Sequence, residues 1–157
     1  MQVKDQEVVR LIERLGDHYR SNISNRYIRP ALQHLPLDNQ TWDLIEKLTE
    51  RSEQYNYQGE HLDDLYRQIA AAARFTALAR KDLAPTLRLH LGSGPGTDKV
   101  LRDMAVNNFL SNLKILADIL NELYLKLVAL DKEDSTGRVP LYLQMPELNE
   151  IGRLLVG

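Results

Sequence analysis

The chain contains no cysteine among its 157 residues. This absence excludes disulfide bonds, thiolate nucleophiles, and zinc or iron–sulfur sites built from cysteine ligands. A small scaffold held together by disulfides is therefore excluded, and we expect an apolar core to hold the fold. A chain of this length can bury roughly 68–70% of the surface that it exposes when unfolded, which is enough for such a core.

Long apolar runs are also lacking. The longest stretch without a charged side chain is ten residues, 104–113, and it includes three asparagines. A membrane-spanning helix needs about 20 apolar residues, so no membrane partner is expected. The first ten residues include four charged side chains and no continuous apolar stretch, unlike a secretory signal peptide. We therefore expect a cytoplasmic protein.

Charge of one sign is not in excess either. The 20 basic and 22 acidic residues give a net charge of −2, whereas nucleic-acid-binding domains usually carry a clear basic excess. The charges are unevenly placed: segment 38–64 has two basic and eight acidic residues, and segment 65–102 has seven basic and two acidic ones. Nucleic-acid binding through 65–102 is therefore a third-ranked hypothesis, because the neighbouring acidic segment can neutralise it within the chain.

Leucine, by contrast, is abundant. The chain has 28 leucines against eight valines and eight isoleucines, so helix-forming residues dominate the apolar set. With 43% apolar and 27% charged residues, the composition is that of a globular domain. We expect one all-α domain over residues 1–157.

Apolar spacing and helix-breaking residues predict four main helices, at 3–28, 40–56, from the turn at Gly59 to Leu83, and at 98–131. A short fifth helix is expected after Pro146. We expect the four main helices to form an antiparallel bundle with the long fourth predicted helix at its centre.

The fourth predicted helix carries the strongest pattern in the chain. Eight apolar residues follow one another at alternating spacings of three and four, as in a heptad seam: Val106, Phe109, Leu113, Leu116, Leu120, Leu123, Leu127 and Leu130. Additional apolar residues widen the stripe, which is typical of a helix that contacts more than one partner. Another segment must therefore cover it, either the carboxy-terminal segment folding back or a second copy of the chain.

Two segments alternate apolar and polar residues, 86–91 and 139–144. This alternation is typical of β-strands, and the two segments are candidates for a small two-stranded ribbon. We expect residues 132–146 to form an extended arm.

The long leucine seam, combined with the lack of a catalytic set, favours a non-enzymatic interaction or assembly protein. We expect it to form a homodimer with C₂ symmetry, using the end of the fourth predicted helix or the arm. The candidate interface residues are all leucines: Leu120, Leu123, Leu127, Leu130, Leu141 and Leu143.

An alternative is an anion-binding module, or an enzyme acting on a phosphorylated ligand. The glycine-rich loop 92–97 precedes the fourth predicted helix, and free amide groups at a helix start attract anions. The loop does not match a phosphate-binding Walker sequence or a dinucleotide fingerprint. The candidate ligand residues are Arg88, Gly94, Gly96, Thr97, Lys99 and Arg102.

The sequence predicts no metal and no cofactor. His61 with Asp64, and Glu13 with Asp17, each share a helical face, but neither pair matches the spacing of a known metal site. Acidic residues near a helix start are favoured by the helix dipole, which explains them without a ligand.

Overall fold

The computed structural model describes residues 3–24, 60–83, 96–133 and 137–156, together with the single positions Lys47 and Pro85. These parts of the chain are predominantly helical and contain no β-strand, which confirms the all-α prediction. The second predicted helix, 40–56, lies outside the described residues except at Lys47, and the alternating segment 86–91 lies outside them entirely.

Five helices occupy the described ranges. They are α1 (Val3–Ser24), α2 (Glu60–Leu78), α3 (Gly96–Lys132), α4 (Leu141–Gln144) and α5 (Pro146–Val156). A π-helical segment, Ala79–Leu83, continues α2. The α3 helix is the fourth predicted helix, and at 37 residues it is about 55 Å long.

The heptad stripe of α3 lies in the core. Seven of its eight predicted residues are buried, and the eighth, Leu130, is partly buried against the same core. The α1 helix adds Val8, Leu11, Ile12 and Leu15 at the three- and four-residue spacing that places them on one face. The periodicity of the sequence therefore predicted the buried face of α3.

The α2 helix packs against α3 and α5, and it buries bulky and small residues around more than half of its circumference. Tyr66, Ile69 and Phe75 are buried there, and Ala72 and Ala73 have no exposed surface. Small side chains allow neighbouring helices to approach closely. The α2 helix therefore lies at a close crossing between α3 and the carboxy-terminal segment.

The carboxy-terminal segment folds back onto the bundle. Leu148, Ile151 and Leu155 of α5 are buried, at the helical spacing expected after Pro146. The packing of α5 covers part of the apolar surface of α3. The sequence left two alternatives for this cover, and the carboxy-terminal segment folding back was one of them.

Residues 139–144 do not form the predicted strand. Pro140 precedes a helical turn, α4, whose residues Leu141 and Tyr142 are partly buried against the core together with Met145. Within the predicted extended arm, 132–146, Lys132 belongs to α3, residues 137–140 have no regular structure, and 141–144 form the helical turn α4. The alternation of apolar and polar residues in 139–144 reflects a short helical turn with one side packed on the core.

None of the helices in the described ranges combines the length and apolar composition needed to cross a bilayer.

Candidate interaction surface

The six leucines predicted as an interface occupy different environments. Leu120, Leu123 and Leu127 are completely buried in the core of their own chain. Leu130 and Leu141 are partly buried against that core, and Leu143 is 65% exposed. Of the six, only Leu143 offers most of its side chain to a partner.

A buried carboxylate fixes the position of the carboxy-terminal segment. The side chain of Asp131, near the end of α3, has no exposed surface. Its Oδ1 accepts a hydrogen bond from Arg138 Nη2 at 2.9 Å, and its Oδ2 accepts one from the backbone N–H of Tyr142 at 2.9 Å. We call these three residues the Asp131 clasp. The chain reverses between them through Gly137, whose φ of +78° favours glycine.

Two further tyrosines, Tyr66 and Tyr124, lie beside the clasp. Tyr66 and Tyr124 make an edge-to-face contact, with ring centroids 6.4 Å apart, and Tyr124 Oη donates a long hydrogen bond of 3.4 Å to the carbonyl oxygen of Leu148. The Lys132 ammonium lies 5.5 Å from the ring centroid of Tyr142. These contacts join α2, α3, α4 and α5 at one point.

Tyr66 is the unusual member of this group. It is completely buried, and no atom of the described residues makes a hydrogen bond with its hydroxyl group. Burial, reinforced by the negative charge of Asp131, raises the pKa of Tyr66 far above its ordinary value. The hydroxyl therefore stays neutral at physiological pH and contributes no hydrogen bond within this part of the chain.

Replacing Tyr66 with phenylalanine should leave the free energy of unfolding unchanged or raise it by up to about 1 kcal/mol, because it removes a buried polar group that lacks a partner. The matched variant Tyr124→Phe should lower it by about 0.5–1 kcal/mol, because a hydrogen bond is lost. Urea denaturation of both variants measures the difference. A larger loss for Tyr66→Phe than for Tyr124→Phe would show that the Tyr66 hydroxyl has a partner.

A second polar contact joins the first turns of α1 to the last turns of α3. Lys126 Nζ donates to Glu7 Oε2 at 2.9 Å, and this hydrogen bond, together with the positive charge of Lys126, lowers the pKa of Glu7. Beside this ion pair lies a half-open cavity of about 150 Å³. Ligand pockets typically measure about 300–1,000 Å³, so the cavity does not indicate a small-molecule site.

The candidate anion site lies mostly outside the described residues. Arg88 and Gly94 fall there, and so do the side chains of Thr97 and Arg102. Gly96 is the first residue of α3, and Lys99 is exposed on its first turn. Of the six candidate residues, the structure therefore describes Gly96 and Lys99 in full, three residues apart at the start of α3.

The basic segment is partly neutralised within α2. Arg67 forms an ion pair of 3.2 Å with Asp63, one helical turn earlier. Arg74, Arg80 and Lys81 are exposed.

The sequence reasoning missed the outer face of α3, on the side opposite the heptad stripe. Four apolar side chains are exposed there: Val100 (60%), Leu101 (47%), Met104 (56%) and Ile115 (37%). Exposed uncharged polar residues complete the face: Asn107, Asn108 and Ser111. We call these seven residues the outer face of α3. Its sequence signal is the ten-residue run without charge, 104–113, which provides uncharged residues on both sides of the helix.

Comparisons with protein-family models, with curated proteins and with solved structures found no match.

Proposed function

We propose that this chain is a non-enzymatic helical interaction protein that self-associates as a C₂ dimer through the outer face of α3. The observation that carries the proposal is a cluster of exposed apolar side chains at the start of the longest helix, Val100, Leu101 and Met104, with Ile115 exposed about three turns further along the same face. Contiguous apolar patches on protein surfaces mark interaction sites, whereas single exposed apolar residues are ordinary.

The carboxy-terminal segment supports a dimer less well. Its exposed apolar residues, Val139 and Leu143, are separated by a partly buried turn. Each is next to a polar or charged neighbour, Arg138 and Gln144 respectively. The leucines Leu120, Leu123 and Leu127 already pack inside the chain, so a partner would have to displace its own core to reach them.

The association is tested by sedimentation velocity over a range of micromolar concentrations. We expect the wild-type chain to be dimeric, and Met104→Glu to weaken the dimer about a hundredfold, because each copy would bury an unpaired carboxylate in the interface. Since Met104 is exposed in the single chain, the variant should keep the circular dichroism spectrum of the wild type, and also its thermal midpoint at concentrations low enough to dissociate the dimer.

The matched control is Leu143→Glu, which introduces the same charge at an exposed residue of α4. It should leave the dimer unchanged. A monomeric wild-type chain at high micromolar concentration would contradict the proposal, and a dimer disrupted only by Leu143→Glu would assign the interface to the carboxy-terminal segment.

A further inference from the structure

The carboxy-terminal segment, 137–156, is attached to the bundle by few buried side chains. Among its described side chains the buried ones are Leu148, Ile151 and Leu155 of α5, and none of the four α4 residues is buried. The α3 helix, by contrast, has ten buried apolar side chains in its described part. Apolar burial stabilises in proportion to the area removed from water, so the apolar attachment of this segment is small.

The ion pair of the Asp131 clasp adds little to that attachment. The Asp131 carboxylate has no exposed surface while Arg138 holds it, and the desolvation of a buried pair cancels much of its attraction. Lifting the segment would return both charges to water together. It therefore avoids the cost of leaving one charge buried alone, which arises only when a single partner is removed.

The tyrosines beside the clasp also gain little from being covered. Arg138 and Tyr142, both in the segment, lie close enough to act electrostatically on the Tyr66 hydroxyl, which is buried without a hydrogen-bond partner. Tyr124 donates only a long hydrogen bond, 3.4 Å, to the carbonyl oxygen of Leu148. Water would solvate these hydroxyl groups better than the covered state does, so they favour lifting of the segment.

The remaining described helices hold one another without the segment. The α1 helix packs against α3, and α2 packs against α3 as well as against α5. The contacts of α3 with α1 and α2 therefore survive when α5 is lifted.

We propose that α4 and α5 form a strap that opens as one unit while α1, α2 and α3 stay packed. Opening uncovers the apolar surface of α2 and α3 against which α5 packs, and it hydrates the clasp and the tyrosines beside it. The strap is a conformational device within a single chain, so it does not depend on the proposed dimer.

Amide hydrogen exchange of the full chain, measured by NMR at increasing urea concentrations, tests the strap. Only amides beyond the first four of α5, 150–156, are informative, because the first four have no partner within the helix. They should exchange at least about tenfold faster than amides 113–123 of α3, because a separate unit opens more often than the whole chain unfolds. Their exchange should also depend less steeply on urea, since strap opening exposes less surface than global unfolding.

Two identical substitutions at fully buried residues provide a matched comparison, Ile151→Val in α5 and Ile12→Val in α1. Ile151→Val should speed exchange of the α5 amides about fivefold, because it removes packing that opening of the strap breaks. Ile12→Val should leave the α5 amides unchanged and speed those of α3 about fivefold, because its packing is lost only in global unfolding.

Two results would overturn the strap. One is exchange of the α5 amides with the same rate and the same urea dependence as the α3 amides. The other is an equal acceleration of the α5 amides by Ile151→Val and Ile12→Val. Either result would mean that α5 opens only when the whole chain unfolds.

Discussion

Replacing Arg138 with methionine should lower the free energy of unfolding by about 3 kcal/mol. The arginine is the charged partner of Asp131, whose side chain is completely buried. Methionine keeps much of the apolar stem of the arginine but removes its guanidinium group, so the carboxylate retains only the backbone N–H of Tyr142 among the hydrogen bonds of the clasp. A buried charge that loses its partner retains its desolvation cost without compensation. Urea denaturation at neutral pH, followed by circular dichroism, measures the loss.

The control is Arg153→Met, which removes an arginine from an exposed pair on α5. Arg153 and Glu150 lie one turn apart with a separation of 3.9 Å, and both side chains are mostly exposed. Exposed pairs of this kind contribute about 0–1 kcal/mol, so this variant should remain within about 0.5 kcal/mol of the wild type. Equal effects of the two substitutions would mean that the Asp131 clasp does not anchor the carboxy-terminal segment.

The clasp could not have been predicted from the sequence. Asp131 precedes a polar stretch that contains Gly137, which is typical of a solvated turn. Only the reversal of the chain after α3 brings Arg138 and the N–H of Tyr142 to the two oxygens of one carboxylate. Burial of a charged residue depends on where the following segment packs, and local spacing does not encode that.

Helical periodicity was more informative where the pattern repeated over many residues. The stripe in α3 repeats over eight positions, so its buried face was predicted residue by residue. The segment 139–144 offered only six residues, and alternation over so short a stretch fits a strand and a packed helical turn equally. Pro140, which lies within this candidate strand, instead directly precedes the helical turn.

The sequence located the apolar surface of α3 but not the part of it that stays exposed. A leucine in a heptad stripe has the same pattern whether its own chain or a second chain covers it. In this protein α1, α2 and α5 cover the leucine-rich stripe, and four exposed apolar residues of α3 lie on its outer face, which also contains two asparagines. The candidate interface therefore moves from the leucines to the uncharged face around Met104.

A matched pair of leucine substitutions tests which leucines belong to the core of a single chain and which are exposed. Leu123→Ala should lower the free energy of unfolding by about 2–5 kcal/mol, because it removes a fully buried side chain and leaves a cavity between packed helices. Leu143→Ala should change it by no more than about 0.5 kcal/mol, because that side chain is 65% exposed and has little packing to lose.

The same pair also separates a stability effect from an association effect. Denaturation at several protein concentrations reports both, because a dimer interface makes the apparent stability rise with concentration while a residue of the internal core acts at every concentration. The loss from Leu123→Ala should therefore persist at the lowest concentration, where the proposed dimer would be dissociated. A loss that vanished on dilution would place Leu123 in the dimer interface and contradict its position in the core of a single chain. Met104→Glu is expected to behave in the opposite way, with no loss on dilution and a growing one as concentration rises, because Met104 is exposed in the single chain and the proposed dimer would cover it.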